Sequence, residues 1–260
     1  MSKHTAFILK PLATILNDSA LVLGHVHSMQ KVPLLEYFMQ SVFLRMTGAQ
    51  EQKMKCICWE LATEDYEYRY KRYNGKWDLG ECSNYDSKKK IYNDLLEQIH
   101  KRDLSYIGLI PSDKRAVIEQ TTKAIKNFYT EAGLRIGMQH DFQTYNEIMR
   151  ALRNENICNT NNKEYALFSM DELKNTFYDP IKQKTQTDTE ISLVDMYELM
   201  YKHRNRCAHN TLSYQENPLP FKQMANLNNR YENYFLRFAI LILIDYIFIE
   251  NYRKYMEVIL

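Results

Sequence analysis

Seven glycines and six prolines punctuate 260 residues, and that scarcity constrains the fold more than any other feature of the chain. A β-rich protein needs turn residues at short intervals, where the backbone must reverse. Here long runs rich in Leu, Lys, Glu and Met carry apolar residues at three- and four-residue steps, the period of an amphipathic helix. The expected fold class is therefore all-α. At 45% apolar residues the chain can build a substantial core, and its length suits one large domain or two small ones. No internal repeat and no Pro- or Gly-rich hinge divides it. The simplest organisation is one domain over 1–260, with core helices at about 33–75 and 190–257 and an insertion at about 78–185.

Charge and cysteine content exclude little. A net charge of +2 neither demands nor forbids a nucleic-acid partner, because a local patch matters more than a total. Cysteines at 56, 58, 82, 158 and 207 are odd in number and irregular in spacing. They suggest neither a disulfide framework nor a zinc site, and are read as reduced thiols of a cytoplasmic protein. The opening "MSKHTAFILKPLATILNDS" lacks the apolar core and cleavage site of a signal peptide. The strongest membrane candidate, "YFLRFAILILIDYIFIENY" at 234–252, is interrupted by Arg237 and Asp245. A spanning helix needs about 20 mostly apolar residues, so this one is expected to be a buried central helix of a protein with no membrane partner.

Along the chain, Pro33 opens a first core helix, with Leu34, Leu35, Phe38, Val42 and Met46 at helical spacing. A second helix is expected from about Ala49, its face traced by Met54, Ile57, Cys58, Leu61, Asp65, Tyr68 and Arg72 and its end at Asn74-Gly75. A rival reading pairs "YRYKRY" with "KWDL" as a hairpin across that Asn-Gly. Further helices are expected around "KKKIYNDLLEQIHKRD", over "KRAVIEQTTKAIKNFYTEA" up to Gly133, at "TYNEIMRALRNE", and after a capping box of Ser169 and Glu172 up to Pro180. "KQKTQTDTE" reads as a polar connector, and the last helix runs from about 221 to 257.

The helix "ISLVDMYELMYKHRNRCAH" carries the chemistry. Leu193, Met196, Tyr197, Met200, Arg204 and Cys207 form one stripe. Arg204 thus continues an apolar face, and is expected to point into the bundle or at a partner, since buried arginine is costly unless paired. His209, five residues on, lies about 140° around a regular helix from Arg204. The two converge on one ligand only if the helix ends at His209, with Asn210 in the left-handed conformation, or if the site is built from two copies across a dimer axis.

Arg204-Asn205-Arg206-Cys207-Ala208-His209 resembles the signature of the HEPN superfamily: Arg, a polar residue, three more residues, then His. The setting is similar too, since the motif closes one helix and a long apolar helix follows. The resemblance covers about 190–257, is weaker over 33–75, and is absent between. It implies a HEPN-like helical bundle that dimerises, and a metal-independent endoribonuclease of antiviral defence or a toxin–antitoxin system. Arg204 and His209 would be catalytic and Asn205 supporting, with no cofactor. In this family's nucleotidyltransferase-controlled toxins a Tyr lies two positions after the His. Here that position is Thr211, and Tyr214 is three further on, which puts that control route in doubt. Where the family often has Gly after the His, this chain has Asn210.

The residue types suit RNA cleavage without metal. The 2′-hydroxyl must lose a proton, the 5′-oxygen must gain one, and the charged phosphorane must be stabilised. Histidine titrates near neutrality, and arginine presents a fixed fork of donors to phosphate oxygens. Products would be a 2′,3′-cyclic phosphate and a 5′-hydroxyl, and DNA would resist.

Lys202, His203 and Arg206 are candidate RNA contacts; the plainer reading puts them in solvent, in a basic turn. His203 and Cys207, four apart, match a zinc pair but lack a second pair. Arg153-Asn154 repeats half the motif with no histidine, and His25 and His27 have no third ligand nearby. "YRYKRY" and "SKKKIY" interleave basic and aromatic residues, as RNA-binding segments do, though a solvated helix face is the favoured account of them. The competing function is a non-catalytic HEPN module that binds RNA, nucleotide or a partner protein. Without a recognisable sensor segment, control is expected from a separate antitoxin or activator.

Overall fold

The computed structural model describes residues 2–25, 31–74, 82–133, 178–179, 184–185, 193–209 and 234–259. The helix expected at "TYNEIMRALRNE", the Ser169–Glu172 cap, the loop at 211–220, and His27, Asn210, Thr211 and Tyr214 lie outside these residues. The fold class is all-α, as the paucity of Gly and Pro implied. Eight helices are described: α1 (Lys3–Leu9), α2 (Ala13–Gly24), α3 (Lys31–Glu64), α4 (Tyr66–Asn74), α5 (Tyr85–His100), α6 (Pro111–Glu131), α7 (Leu193–His209) and α8 (Tyr234–Ile259). A two-residue antiparallel pair, β1 (Tyr178–Asp179) with β2 (Lys184–Thr185), sits where a helix end and a connector were expected. Asp179 precedes Pro180, whose ring disfavours the α conformation in the residue before it.

α8 is the axis of the bundle. A helix apolar on all sides must be buried on all sides. Phe238, Ala239, Leu241, Ile242, Ile244, Ile247 and Tyr252 are indeed fully enclosed, by α1, α3, α5, α6 and α7. Among the described residues no single helix is long and apolar enough to cross a membrane; the bent pair α1–α2 passes such a test by length and composition only. The stretch read as an insertion contributes α5 and α6, whose Leu95, Ile99, Ile118, Ile125 and Phe128 have no exposed surface.

The two charges that interrupt α8 are interior. Asp245 lies 2.6 Å from Lys53 Nζ of α3, the side chains 1% and 3% exposed. Lys53 also donates to the Lys10 carbonyl after α1, and the Leu12 N–H ahead of α2 donates to Asp245 at 2.7 Å. The pair therefore satisfies orphan backbone groups at both sides of the α1–α2 corner. Burial pushes the Lys53 amine down and the Asp245 carboxyl up, and each partner opposes the other's shift. Neither α1 nor α2 was anticipated from the sequence.

The first core helix does not stop near Gly48. It runs unbroken to Glu64, and a Cβ at Gly48 would meet nothing within 4 Å, so that glycine is merely tolerated. The interruption falls at Asp65. Its carboxylate caps the Tyr68 N–H at 3.0 Å and takes bonds from Gln98 at 2.8 Å and Lys101 at 2.6 Å on α5. Against the opposing push of burial, these donors hold the Asp65 carboxyl well below the usual range. The Asp65 N–H closes the last turn of α3 on the Leu61 carbonyl, and the Asp65 carbonyl receives the Arg69 N–H as the first bond of α4. The stripe Met54, Ile57, Cys58, Leu61, Tyr68, Arg72 is buried as its spacing predicted, and "YRYKR" is helical, which removes the hairpin alternative.

Pro111 takes the first position of α6, where its missing N–H is no loss. Gly133 follows that helix with φ 66°, the left-handed value that suits glycine at a helix end.

Candidate functional site

α7 docks through Tyr197, Met200 and His203, which are 3%, 2% and 2% exposed. The Tyr197 hydroxyl donates to the Ser83 carbonyl at 2.7 Å. Buried Lys88 of α5 donates to the Cys82 and Ser83 carbonyls at 2.7 and 3.0 Å, and its ammonium lies 5.1 Å over the Tyr197 ring. Burial lowers the Lys88 pKa to about 7. The turn before α5 thus fixes how α7 is rotated.

That rotation changes which motif residue is interior. The spacing placed Arg204 on the packed line; the structure puts His203 there. His203, expected as a solvated RNA contact, is enclosed between the rings of Phe43 and Tyr234, each 5.4 Å away. Its Nε2 is at hydrogen-bond distance from the Tyr234 hydroxyl (3.0 Å) and from Cys207 Sγ (3.4 Å). Burial, with help from Arg237 and Arg206, lowers its pKa to about 3, so it is neutral at pH 7. An RNA-contact role for His203 is therefore corrected to a packing role. The reason is steric: Phe43 and Tyr234 form a pocket one helical position from where the α7 stripe alone would centre it.

Arg204 emerges at the rim, with its side chain 26% exposed. Its Nη1 donates to Asn205 Oδ1 at 3.1 Å, and its Nη2 lies 3.5 Å from Glu51 Oε2 on α3. Lys55, one turn further along α3, donates to Glu51 Oε1 at 3.0 Å. The result is a row of alternating charge, Lys55–Glu51–Arg204, finished by the Asn205 amide. A guanidinium offers five N–H donors, and these partners occupy only part of that fork. Lys202 and Arg206 are exposed on the same helix.

α7 is described as continuous helix through His209, whose side chain lies outside the described residues. At about 1.5 Å and 100° per residue, position 209 is about 7 Å along and 140° around from Arg204. A regular helix leads the two side chains apart within one chain.

Glu51 escaped the sequence reading. Its signal was present in "EQKMK", an i,i+4 Glu–Lys pair on a core helix, but its contact with a residue 153 positions away is tertiary. Among the described residues, no group of three or more His, Cys, Asp or Glu side chains could hold a metal ion, and Cys56, Cys58, Cys82 and Cys207 are not joined in disulfides. Compared with known proteins, the chain matches no family model, no curated protein and no solved structure.

Proposed function

We propose that this chain is a metal-independent endoribonuclease of the HEPN type, working in the cytoplasm as a homodimer whose two Arg204/His209 pairs share one site. The observation that carries the reading is the setting of Arg204. It is a rim guanidinium steadied by Asn205 and Glu51, neither buried in an apolar core nor loose in solvent, on the helix that also bears His209. Steadying a partly exposed arginine prepares it for a phosphate, because less side-chain freedom is lost on binding.

With His203 neutral and enclosed, His209 is the histidine of the motif left for proton transfer near pH 7. One imidazole cannot both take the 2′-hydroxyl proton and deliver one to the 5′-oxygen in a single step. Two copies of His209, one from each protomer, divide the tasks. The 2′-oxygen attacks phosphorus, the P–O5′ bond breaks, and the products are a 2′,3′-cyclic phosphate and a 5′-hydroxyl, with Arg204 neutralising the phosphorane. The about 140° separation supports a paired site over a single-chain one. Antiviral defence or a toxin–antitoxin system is the proposed setting, with a separate antitoxin or activator as control.

The test is cleavage of single-stranded RNA in EDTA, with mass analysis of the product ends. Wild type is expected to cut, and Arg204→Ala and His209→Ala to lose cutting by at least about a hundredfold while melting normally. Equal cutting by all three proteins removes these residues from the mechanism. A monomer that cuts nothing moves the chain to the binding-module class.

A further inference from the structure

Apart from Tyr37 near the start of α3, the end of α3 and α4 carry three large exposed aromatic side chains where water-facing helix normally carries charge. Trp59 is 54% exposed, Tyr66 72% and Tyr70 59%. The buried face runs on from Met54, Ile57, Cys58 and Leu61 of α3 to Tyr68 and Arg72 of α4, so positions on both helices fit one approximate angular frame. Taking Trp59 as zero, Gln52, Thr63, Tyr66 and Tyr70 lie within about 40° of it. They form a single line, spaced about 10 Å from Trp59 to Tyr66 and about 6 Å from Tyr66 to Tyr70. Trp59 makes a T-shaped contact with the His4 ring at 6.4 Å, and the Arg69 guanidinium already stacks 5.6 Å over Tyr66.

Charge is divided unevenly across this line. Lys55, Arg69 and the Glu51–Arg204 contact lie about 40° to 80° to one side. Glu67, Glu60 and Glu64, with exposed Lys71 among them, lie about 80° to 140° to the other, where Glu60 is taken up by Ser2 (2.7 Å) and His4 (3.1 Å) of the amino-terminal segment. The cationic flank is therefore the one that leads to Arg204. Thr63 lies between Trp59 and Tyr66, and Gln52 continues the line beyond Trp59, so the rings are flanked by polar and not aliphatic side chains, which suits stacking of separate planar groups better than a continuous apolar interface.

We propose that this stripe is a track for single-stranded RNA, with bases stacking on Trp59, Tyr66 and Tyr70 and phosphates running along Lys55 and Arg69 towards Arg204. The inference rests on the ribonuclease reading and names how its substrate is held. Stacking on aromatic rings is tolerant of sequence, so the track selects for unpaired strand and not for a particular base.

The experiment uses the full-length chain and a 12-nucleotide single-stranded RNA made uncleavable by 2′-O-methylation. Binding is followed by anisotropy, and by Trp59 fluorescence in a Trp77→Phe background. Trp59 emission is expected to be quenched on binding. Trp59→Ala, Tyr66→Ala and Tyr70→Ala are each expected to weaken binding by roughly five- to a hundredfold, while Trp59→Phe and Tyr66→Phe retain most of it. Lys55→Gln and Arg69→Gln are expected to flatten the dependence of binding on salt. Trp59, Tyr66, Tyr70 and Arg69 are exposed and Lys55 is partly so, so unchanged melting is the control for folding. Unchanged affinity in the triple alanine variant overturns the track. So does a triple variant that loses self-association yet binds RNA as before, since the stripe would then be a contact between copies. If cutting persists in that triple variant and disappears in His209→Ala, the track falls and the nuclease reading stands. If the oligonucleotide binds through the stripe and no RNA is ever cut, the track stands and the nuclease reading falls.

Discussion

α3 contributes to two ion pairs from positions only two residues apart, and they behave as different kinds of object. Lys53 faces inward, 2.6 Å from Asp245, in a contact almost closed to water. Glu51 faces the rim, 3.5 Å from Arg204, with both side chains about a fifth to a quarter exposed. The inner pair also satisfies the Lys10 carbonyl and the Leu12 N–H, and its burial closes it to a ligand. The rim pair keeps donors and solvent access. Burial turns charge into architecture, and partial exposure leaves it able to change partners.

The largest effect should come from breaking the inner pair. Asp245→Ala leaves Lys53 buried without its counter-charge, and a loss of about 3–5 kcal/mol is expected, read as a shift in the urea midpoint at constant slope. The paired change Lys53→Met with Asp245→Leu should recover most of that loss. A loss under about 1 kcal/mol for Asp245→Ala would make the two pairs alike and remove the contrast.

Next in size is an acid effect at His203. Its folded pKa of about 3 lies below the unfolded value of about 6.5. The unfolded chain therefore binds more protons between those values, so stability is whole above about pH 6.5 and falls as pH drops towards 3, by at most about 1.4 kcal/mol per pH unit for this one group. Comparing melting between pH 7 and pH 4 for wild type and His203→Phe isolates it. The variant should show the shallower decline, and identical slopes would mean that His203 is wetter than its surroundings imply.

At the rim, Arg204→Ala should alter stability by less than about 1 kcal/mol while eliminating RNA cutting, a split that equilibrium unfolding and a cleavage assay measure together. The smallest expected change is for Glu51→Gln, which keeps shape and removes charge. Its stability should stay within about 0.5 kcal/mol of wild type. Cutting should fall through the turnover number more than through KM if Glu51 holds the guanidinium in place.

Several features could be read without coordinates because they are periodic or compositional. Low Gly and Pro, the stripe Met54 to Arg72, and the apolar run after Tyr234 each predicted an element that is present. Other features depended on residues far away in the chain. The α3–α4 interruption falls at Asp65 and not at Gly48, because Gln98 and Lys101 of α5 supply the donors that reward a cap there. α1 and α2 were missed because each is short and their corner is secured by Lys53 and Asp245, neither of which is adjacent in sequence. In the motif, residue identity and spacing pointed to Arg204, Asn205 and His209, but they centred the buried face one position too far along.

What periodicity and residue type settle is which segments are helical and which side chains have the chemistry to act, since both are properties of a residue and its near neighbours. Rotation of α7 about its own axis is a different quantity. Ser83, Phe43 and Tyr234, drawn from three other parts of the chain, settle it by taking Tyr197 and His203 into the core. Only that packing sends one motif histidine inside, neutral and silent, and leaves Arg204 at the edge, where a guanidinium can meet a phosphate.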